Sequence, residues 1–428
     1  MGDPDHLALL YVQQFLQERS YFKALRALEE DSGLLYDETK LEKGGELMQL
    51  VWQHMERSLQ DCPEQNEHAQ EHAEDEAMLQ SEGAHDFPQA VVSSIEGAHS
   101  ANILCVKLIP GQDEVLTGAG DGCVRRISFG AQTAWTSHLG GGGVLCVDLH
   151  PKHASGPATQ TTLKGPLHEH LCAAGSMDGC VRLIDTEAGA CVAFCRSHSK
   201  YAGGLTWVGD RACVSVSYDH SVVVHHFEGG AAGHEHATGS GELLTIIRRV
   251  EFASVVQHVA ALHDGHTVVI AVRDSCFLRI LDTRDKEKSE MTMVNINAAG
   301  DNHVSFFPCH VAVSPCGRLL LVSTNKGRLL VLRQRGASCH SWRHCPTLGF
   351  MQLAVENFHN FSATWHSDSC HVFAAAAGAQ VWVYHVGTGK VASKLNLHKI
   401  NVRGMDFDGH RLVTCSFDRT VKVLTHSS

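Results

Sequence analysis

The sequence predicts a mainly β fold, a seven-bladed β-propeller, preceded by a small α-helical segment. The main observation is a recurring unit: an Asp in a tight turn, a small or turn residue, and then an alternating apolar strand. Five copies of the unit begin at Asp121, Asp178, Asp219, Asp274 and Asp418, and two weaker copies begin at residues 325 and 378. A four-stranded unit that recurs about every 40 to 45 residues is typical of a propeller blade.

Length and charge restrict the functions that the chain can have. The 428 residues carry a formal net charge of −12 and no basic stripe, which argues against nucleic-acid binding. The first residues lack a cationic, apolar leader, and the most apolar stretch, residues 372–386, is interrupted by polar residues and Gly. The 16 Cys stand singly in predicted strands, as reduced buried residues do. We therefore expect no membrane contact and a cytoplasmic location, with the nucleus as the alternative.

Residues 4–31 predict two short helices, each with one apolar face. Pro4 suits the first turn of a helix, and Gly33 suits the end of the second. The apolar faces contain Leu7, Leu10, Tyr11, Phe15 and Leu16 in the first helix, and Tyr21, Phe22, Leu25 and Leu28 in the second. Helices this short need a partner surface, in a second copy or elsewhere in the chain.

This helical pair resembles the LisH motif, in which an aromatic-Leu pair ends the first helix and a Tyr opens the second. The matching positions are Phe15, Leu16, Tyr21, Ala24, Leu28 and Glu30, although Ser20 stands where the family usually has Gly. The resemblance implies a homodimer held by Phe15, Leu16, Tyr21, Leu25 and Leu28. We assign residues 1–60 to this dimerisation segment, including a third predicted helix over residues 44–59.

An acidic linker is predicted over residues 61–88. Residues 61–86 contain nine Asp and Glu and no Lys or Arg, so the stretch cannot bury enough surface to fold alone. A solvated linker is the main interpretation. A site for a basic partner and a helical extension are the alternatives.

The propeller is predicted to span residues 89–428 and to close by sharing one sheet between its two ends. The chain ends in an apolar strand that would be the third of its blade. Residues 90–96 would supply the missing fourth strand, which would leave no open sheet edge.

The blades resemble WD repeats, in which a His, a hydroxyl, the turn Asp and a Trp form a buried hydrogen-bonded relay. The matching sets are His99, Thr117 and Asp121; His138 and Asp178; His198, Ser215 and Asp219; and His398, Thr414 and Asp418. Asp274 occupies a blade turn without a His, and His359 begins a blade without the Asp. The Trp position is filled by Ile127, Ile184, His225, Leu281, Leu332, Tyr384 and Leu424. The resemblance implies a protein-binding scaffold.

Three patterns raise the question of chemistry. The Asp-His-hydroxyl sets recur in several blades and lack a G-x-S-x-G elbow, so we predict no catalytic residues. Residues 140–143 are four Gly without the Lys of a phosphate loop. The pairs His168/His170 and His234/His236 and the cluster from Cys339 to Cys345 supply only parts of a zinc shell, so we predict no metal and no cofactor.

The sequence thus favours a non-catalytic interaction scaffold, dimeric through its helices, that presents a propeller to protein partners. One alternative is a substrate receptor or scaffold subunit of a ubiquitin ligase. It rests on Asp282 and Arg284, which resemble the W-D-x-R ending of WD-repeat receptors, with Leu281 in place of the Trp. The other alternative is a dynein- or microtubule-linked regulator, because the order of domains is similar.

Overall fold

The structure is a computed structural model that describes residues 4–18, 21–37, 47, 87–151, 170–227, 244–284, 291–297, 306–334, 342–344, 351–352 and 362–426. The chain divides into two compact units, one of Met1–Glu74 with Asn297–His303 and one of Asp75–Ile296 with Val304–Ser428. The boundaries at residues 60 and 88 stay predictions. Apart from residue 47, which is helical, the third predicted helix and the acidic residues 61–86 lie outside the described residues.

The first unit contains two helices, α1 (Pro4–Glu18) and α2 (Phe22–Ser32). Leu10 and Leu25 are buried. Gly33 ends α2 in the left-handed conformation, with a φ of 70°, and its N–H donates to the Glu29 carbonyl at 2.9 Å. Glycine adopts that conformation without steric cost, which explains the helix end. Among the described residues, no helix is both long and apolar enough to cross a bilayer.

The five residues predicted for dimerisation differ in exposure. Leu25 is only 7% exposed, so it already packs within a single chain. Phe15, Leu16 and Leu28 are half-buried, whereas Tyr21 is 55% exposed. Leu25 therefore stabilises the helical pair itself, and the exposed apolar surface lies around Tyr21.

The second unit is a ring of seven sheets, which confirms the predicted fold class. Blade 1 contains β2 (Ile103–Leu108), β3 (Glu114–Ala119), β4 (Cys123–Ser128) and β5 (Thr133–His138). Blade 2 contains β6 (Val144–Leu149), β7 (Leu171–Ser176), β8 (Cys180–Asp185) and β9 (Cys191–Arg196). Blade 3 contains β10 (Ala202–Val208), β11 (Ala212–Ser217), β12 (Ser221–Phe227) and β13 (Leu244–Glu251).

The remaining blades follow the same antiparallel order. Blade 4 contains β14 (Val256–Ala261), β15 (Thr267–Val272), β16 (Phe277–Asp282) and β17 (Thr292–Asn295). Blade 5 contains β18 (Pro308–Val313), β19 (Leu319–Thr324), β20 (Arg328–Gln334), β21 (Trp342–His344) and β22 (Met351–Gln352). Blade 6 contains β23 (Ala363–Trp365), β24 (His371–Ala376), β25 (Gln380–His385) and β26 (Val391–Asn396). Blade 7 contains β27 (Val402–Phe407), β28 (Leu412–Ser416), β29 (Thr420–Thr425) and, from the other end, β1 (Ala90–Glu96).

The ring closes as the sequence predicts. Strand β1 pairs antiparallel with β29, with Ile95 opposite Val421 and Glu96 opposite Thr420. The innermost strands contact one another in a complete circle, from β2 through β6, β10, β14, β18, β23 and β27 back to β2. Because the last sheet is built from both ends of the domain, β29 is paired on both sides, with β1 and with β28.

The apolar core lies between neighbouring blades. Every residue of β7, β15, β19 and β24, the second strands of four blades, is buried, so their apolar runs are covered on both faces. One cluster, for example, packs Leu319 and Leu321 of blade 5 against Val372 and Tyr384 of blade 6. Burial of this kind stabilises the fold by roughly 25 cal/mol per Å² of apolar surface, and it fixes each blade against the next.

Candidate functional site

The buried relay is complete in blade 1. His99 Nδ1 lies 3.1 Å from both carboxylate oxygens of Asp121, and His99 Nε2 lies 2.8 Å from the Thr117 hydroxyl. The Asp121 carboxylate also accepts the N–H groups of Ser100 and Cys123, each at 3.2 Å. The relay therefore ties the turn after β3 to the segment before β2, within one blade.

Blades 3 and 7 repeat this geometry. His198 lies 3.3 Å from Asp219 and 2.7 Å from the Ser215 hydroxyl. His398 lies 3.1 Å from Asp418 and 2.8 Å from the Thr414 hydroxyl. Burial lowers the pKa of both histidines, and the neighbouring Asp only partly opposes it, so the neutral imidazole is favoured.

Blade 3 extends the relay by one residue. His225, on β12, stands at the position that a Trp holds in WD repeats, and its Nε2 lies 2.8 Å from the Ser215 hydroxyl. Burial lowers the pKa of His225 to about 3, with a further contribution from His198. A chain of four polar side chains, Asp219, His198, Ser215 and His225, therefore runs through the blade.

Blade 2 differs from the prediction that His138 pairs with Asp178, and that pairing is wrong. The N–H of Leu139 donates to the Gly122 carbonyl, just as the N–H of His198 donates to the Gly179 carbonyl. Leu139 thus occupies the histidine position, and His138 lies one residue too early, at the end of β5. Its Nδ1 lies 3.1 Å from the Cys123 sulfur instead.

Arg182 replaces the missing histidine in blade 2. Its guanidinium donates to Asp178 Oδ2 at 2.6 Å and to the Ser176 hydroxyl at 2.6 Å. Although burial acts to raise it, the hydrogen bonds from Arg182, Ser176 and the Cys180 N–H hold the pKa of Asp178 far below its usual value. The backbone of Gly141 lies close to the Asp178 carboxylate, since a Cβ there would overlap it.

Asp274 lies in a turn of a different kind. From Ala271 to Leu278, which pair across β15 and β16, the turn has one residue more than its counterpart from Val216 to Val222 in blade 3. Asp274 itself adopts the left-handed conformation, with a φ of 54°, and its side chain is 65% exposed. Its carboxylate lies 3.2 Å from the Ser254 hydroxyl. Asp274 is therefore a surface turn residue rather than part of a buried relay.

The residues predicted for an adaptor contact lie together at the end of β16. Arg284 is exposed, and its guanidinium donates to Asp282 Oδ2 at 2.7 Å and to Oδ1 at 3.2 Å. These bonds lower the pKa of Asp282. The ion pair is therefore a local contact between two residues at the end of β16.

A cavity of about 610 Å³ lies at the centre of the ring, lined by the innermost strands. On one side, Lys107 Nζ lies 3.4 Å from Asp148 and 3.3 Å from Asp406, and these carboxylates, Asp406 foremost, raise the pKa of Lys107. On another side, the rings of His258 and His310 lie 4.0 Å apart. Burial lowers the pKa of His310 to about 4, so this histidine pair is neutral at pH 7. The cavity could not be predicted from the sequence because its lining comes from all seven blades.

Three large, partly exposed side chains are among the residues that line this cavity. Met177, Tyr201 and Tyr218 are 39%, 48% and 39% exposed. The two Tyr rings lie 5.9 Å apart, and the Tyr218 ring packs over Gly203, where a Cβ would lie 3.1 Å from it. Exposed aromatic and Met side chains beside a concave surface are typical of protein-binding sites.

A second cluster of polar side chains was not predicted from the sequence. His366, Asp368 and His371 follow β23 and place three metal-ligating atoms within 4.8 Å of one another. The available signal was the H-x-D-x-x-H spacing, which the abundance of His in this chain concealed. His170 is the one described member of the predicted His pairs. His168, His234, His236, His359, Cys339 and Cys345 lie outside the described residues.

The comparison with protein families places a WD domain, G-beta repeat, at residues 389–424. These residues contain β26, β27, β28 and most of β29, and with them the relay of His398, Thr414 and Asp418. The search of curated proteins gave no match. The chain therefore carries a WD repeat within a seven-bladed propeller.

Proposed function

We propose that this protein is a non-catalytic interaction scaffold whose propeller holds protein partners through exposed side chains that line its central cavity. The exposed group of Met177, Tyr201 and Tyr218 carries the proposal. Aromatic and Met side chains that protrude at the rim of a cavity can bury apolar surface of a partner at low entropic cost.

The burial of the relays supports a structural role for them rather than catalysis. The hydroxyl-bearing residues Thr117, Ser215 and Thr414 are 0% exposed, so a substrate cannot reach them. A nucleophile must contact the reacting atom, and the hydrogen-bond partners of these hydroxyls are buried histidines, including His225 beside Ser215, and backbone carbonyls. WD-repeat propellers typically work by binding.

The test compares partner binding by the intact chain and by two variants. In Tyr201→Ala/Tyr218→Ala, we expect proteins that co-purify with the wild type to be depleted at least about tenfold, as for the loss of a central contact. Phe194→Ala is the matched control, because Phe194 is 68% exposed but lies on the outer strand β9. Unchanged partners in the Tyr variant, or equal losses in both, would refute the proposal.

Self-association through the helical pair is a further part of this proposal. Its support is the exposed apolar surface around Tyr21, with half-buried Phe15, Leu16 and Leu28 beside it. Leu16→Asp would place a carboxylate in that contact, and we expect light scattering to show a dimer becoming a monomer. A wild-type monomer would contradict it.

A ubiquitin-ligase subunit is the second candidate, and the exposed Arg284 favours it. An adaptor would have to compete with Asp282 for the guanidinium. Ligase components that co-purify with the wild type and not with Arg284→Ala would support this candidate. A dynein- or microtubule-linked role rests on domain order alone and stays a prediction.

A further inference from the structure

The turn between β23 and β24 brings two imidazoles onto one carboxylate. His366 Nδ1 lies 3.0 Å from Asp368 Oδ1, and His371 Nδ1 lies 2.7 Å from Asp368 Oδ2. His366 and His371 are 5% and 2% exposed, whereas the Asp368 side chain is 20% exposed. The two histidines are therefore buried, and the carboxylate is the most exposed side chain of the three.

Both imidazoles present Nδ1 to the Asp368 carboxylate. A lone pair on His366 Nδ1 would be repelled by the anionic oxygen 3.0 Å away. A proton on Nδ1 makes this contact an ordinary N–H···O hydrogen bond, and a metal ion bound by the nitrogen and the oxygen can take the place of that proton. The contact therefore fits either a proton or a metal ion.

We propose that His366, Asp368 and His371 form a binding site for a divalent transition metal, with Zn²⁺ as the preferred ion. Two imidazole nitrogens and one carboxylate oxygen are a ligand set that Zn²⁺ accepts, and water supplies the fourth position in such three-ligand sites. Zinc bonds of about 2.0 to 2.2 Å place tetrahedral ligands about 3.3 Å apart. The two separations above are shorter, so binding opens each by about 0.3 to 0.6 Å. It also draws together those of the three ligand atoms that stand farther apart, up to 4.8 Å.

The surroundings hold these ligands in place. Asp368 Oδ1 accepts the N–H groups of Cys370 at 2.8 Å and His371 at 3.0 Å, which fixes the carboxylate. The Phe407 ring stacks on His366 at 5.1 Å, and the Phe87 ring meets the edge of His371 at 4.8 Å. Ligands oriented by hydrogen bonds and enclosed by apolar rings are typical of metal sites.

The site also touches the start of the propeller chain. Phe87 is 4% exposed and contacts both His366 and His371, three residues before β1 begins the sheet that closes the ring. Binding of an ion would fix both rings and with them the surface on which Phe87 rests. Zinc should therefore raise the thermal stability of the propeller.

The test uses the full chain without an affinity tag of histidines. After removal of metal by a chelating resin, Zn²⁺ is titrated in competition with a chromophoric chelator. We expect the wild type to bind about one equivalent of zinc per chain. We expect His366→Gln/His371→Gln to lose this binding or to bind zinc at least tenfold more weakly. The matched control is His168→Gln/His170→Gln, which removes another His pair and should bind zinc as the wild type does.

X-ray absorption of the zinc-loaded wild type provides a test that does not depend on how the variants fold. We expect nitrogen and oxygen neighbours at about 2.0 to 2.2 Å and no sulfur at about 2.3 Å. A sulfur shell would instead indicate the Cys339 to Cys345 cluster, and failure to bind zinc would show that a proton alone bridges His366 and Asp368. Zinc lost in the control variant but retained in His366→Gln/His371→Gln would equally overturn the proposal.

Discussion

Blades 2 and 3 satisfy a carboxylate in the same turn with different hydrogen-bond donors. Each has an Asp in the turn between its second and third strands, and in each the carboxylate accepts the N–H two residues later, from Cys180 at 3.0 Å and from Ser221 at 3.1 Å. In blade 3 the side chain that reaches the carboxylate from the preceding chain segment is the buried, neutral imidazole of His198. In blade 2 it is the guanidinium of Arg182, four residues along the same hairpin.

The difference shows what the blade requires and what it leaves open. A turn carboxylate removed from water must be satisfied by donors, but any donor that reaches it will serve. The two sets of hydrogen bonds connect different lengths of the chain. The blade 3 relay connects the turn to the segment before β10, whereas the Arg182 bridge stays within β7, β8 and their turn.

The largest expected effect follows from breaking the longer connection. His198→Ala leaves the Asp219 carboxylate, 7% exposed, and the Ser215 hydroxyl without their shared partner. Loss of a hydrogen-bond donor to a buried carboxylate costs about 2 to 4 kcal/mol. The free energy of unfolding, measured by urea denaturation, should fall by this amount.

The matched control for this substitution is His138→Ala in blade 2. His138 is exposed and contacts Cys123 rather than a turn Asp, so the change should stay within about 0.5 kcal/mol. Equal losses in the two variants would contradict the assignment of Leu139 to the histidine position.

An intermediate effect is expected from Arg182→Met. It removes the guanidinium from Asp178, but that side chain is 24% exposed and water can replace part of the hydrogen bonding. We expect a loss of about 1 to 2 kcal/mol in urea denaturation, smaller than that of His198→Ala. A larger loss would show that the short bridge is the more important of the two.

The smallest change in the free energy of unfolding at neutral pH is expected from His225→Gln. This substitution should instead change how the stability depends on pH. Burial holds the pKa of His225 at about 3, below its usual value of about 6.5, so the unfolded chain binds the proton more readily. The stability due to neutral His225 is complete above about pH 6.5 and is lost as the pH falls toward about 3. His225→Gln lacks this loss, while the other histidines titrate in both proteins.

Urea denaturation near pH 7.5 and near pH 5 measures this difference. The wild type should lose about 1 to 2 kcal/mol more than His225→Gln between the two conditions, because one proton per chain changes stability by about 1.4 kcal/mol per pH unit. The same pH dependence in both proteins would mean that His225 is already protonated in the fold.

Much of the fold could be predicted because blade formation is a local property. The Asp turns, the alternating strands and the shared last sheet all follow from short patterns, and the structure has them at residues 90–96 and in seven sheets. The relays of His99, His198 and His398 lie where the same patterns place them. The pairing of His138 with Asp178 failed because a shift of one residue moves a side chain to a different environment.

The sequence by itself determined the architecture, since each blade repeats a hydrophobic period and a turn chemistry that only a ring of sheets satisfies. Only the tertiary structure decided which side chains meet. Arg182 reaches Asp178, His225 joins a relay, His366 and His371 converge on Asp368, and Met177, Tyr201 and Tyr218 gather at one cavity. These contacts join residues whose spacing along the chain carries no shared pattern, and the packing of neighbouring strands and blades sets their distances.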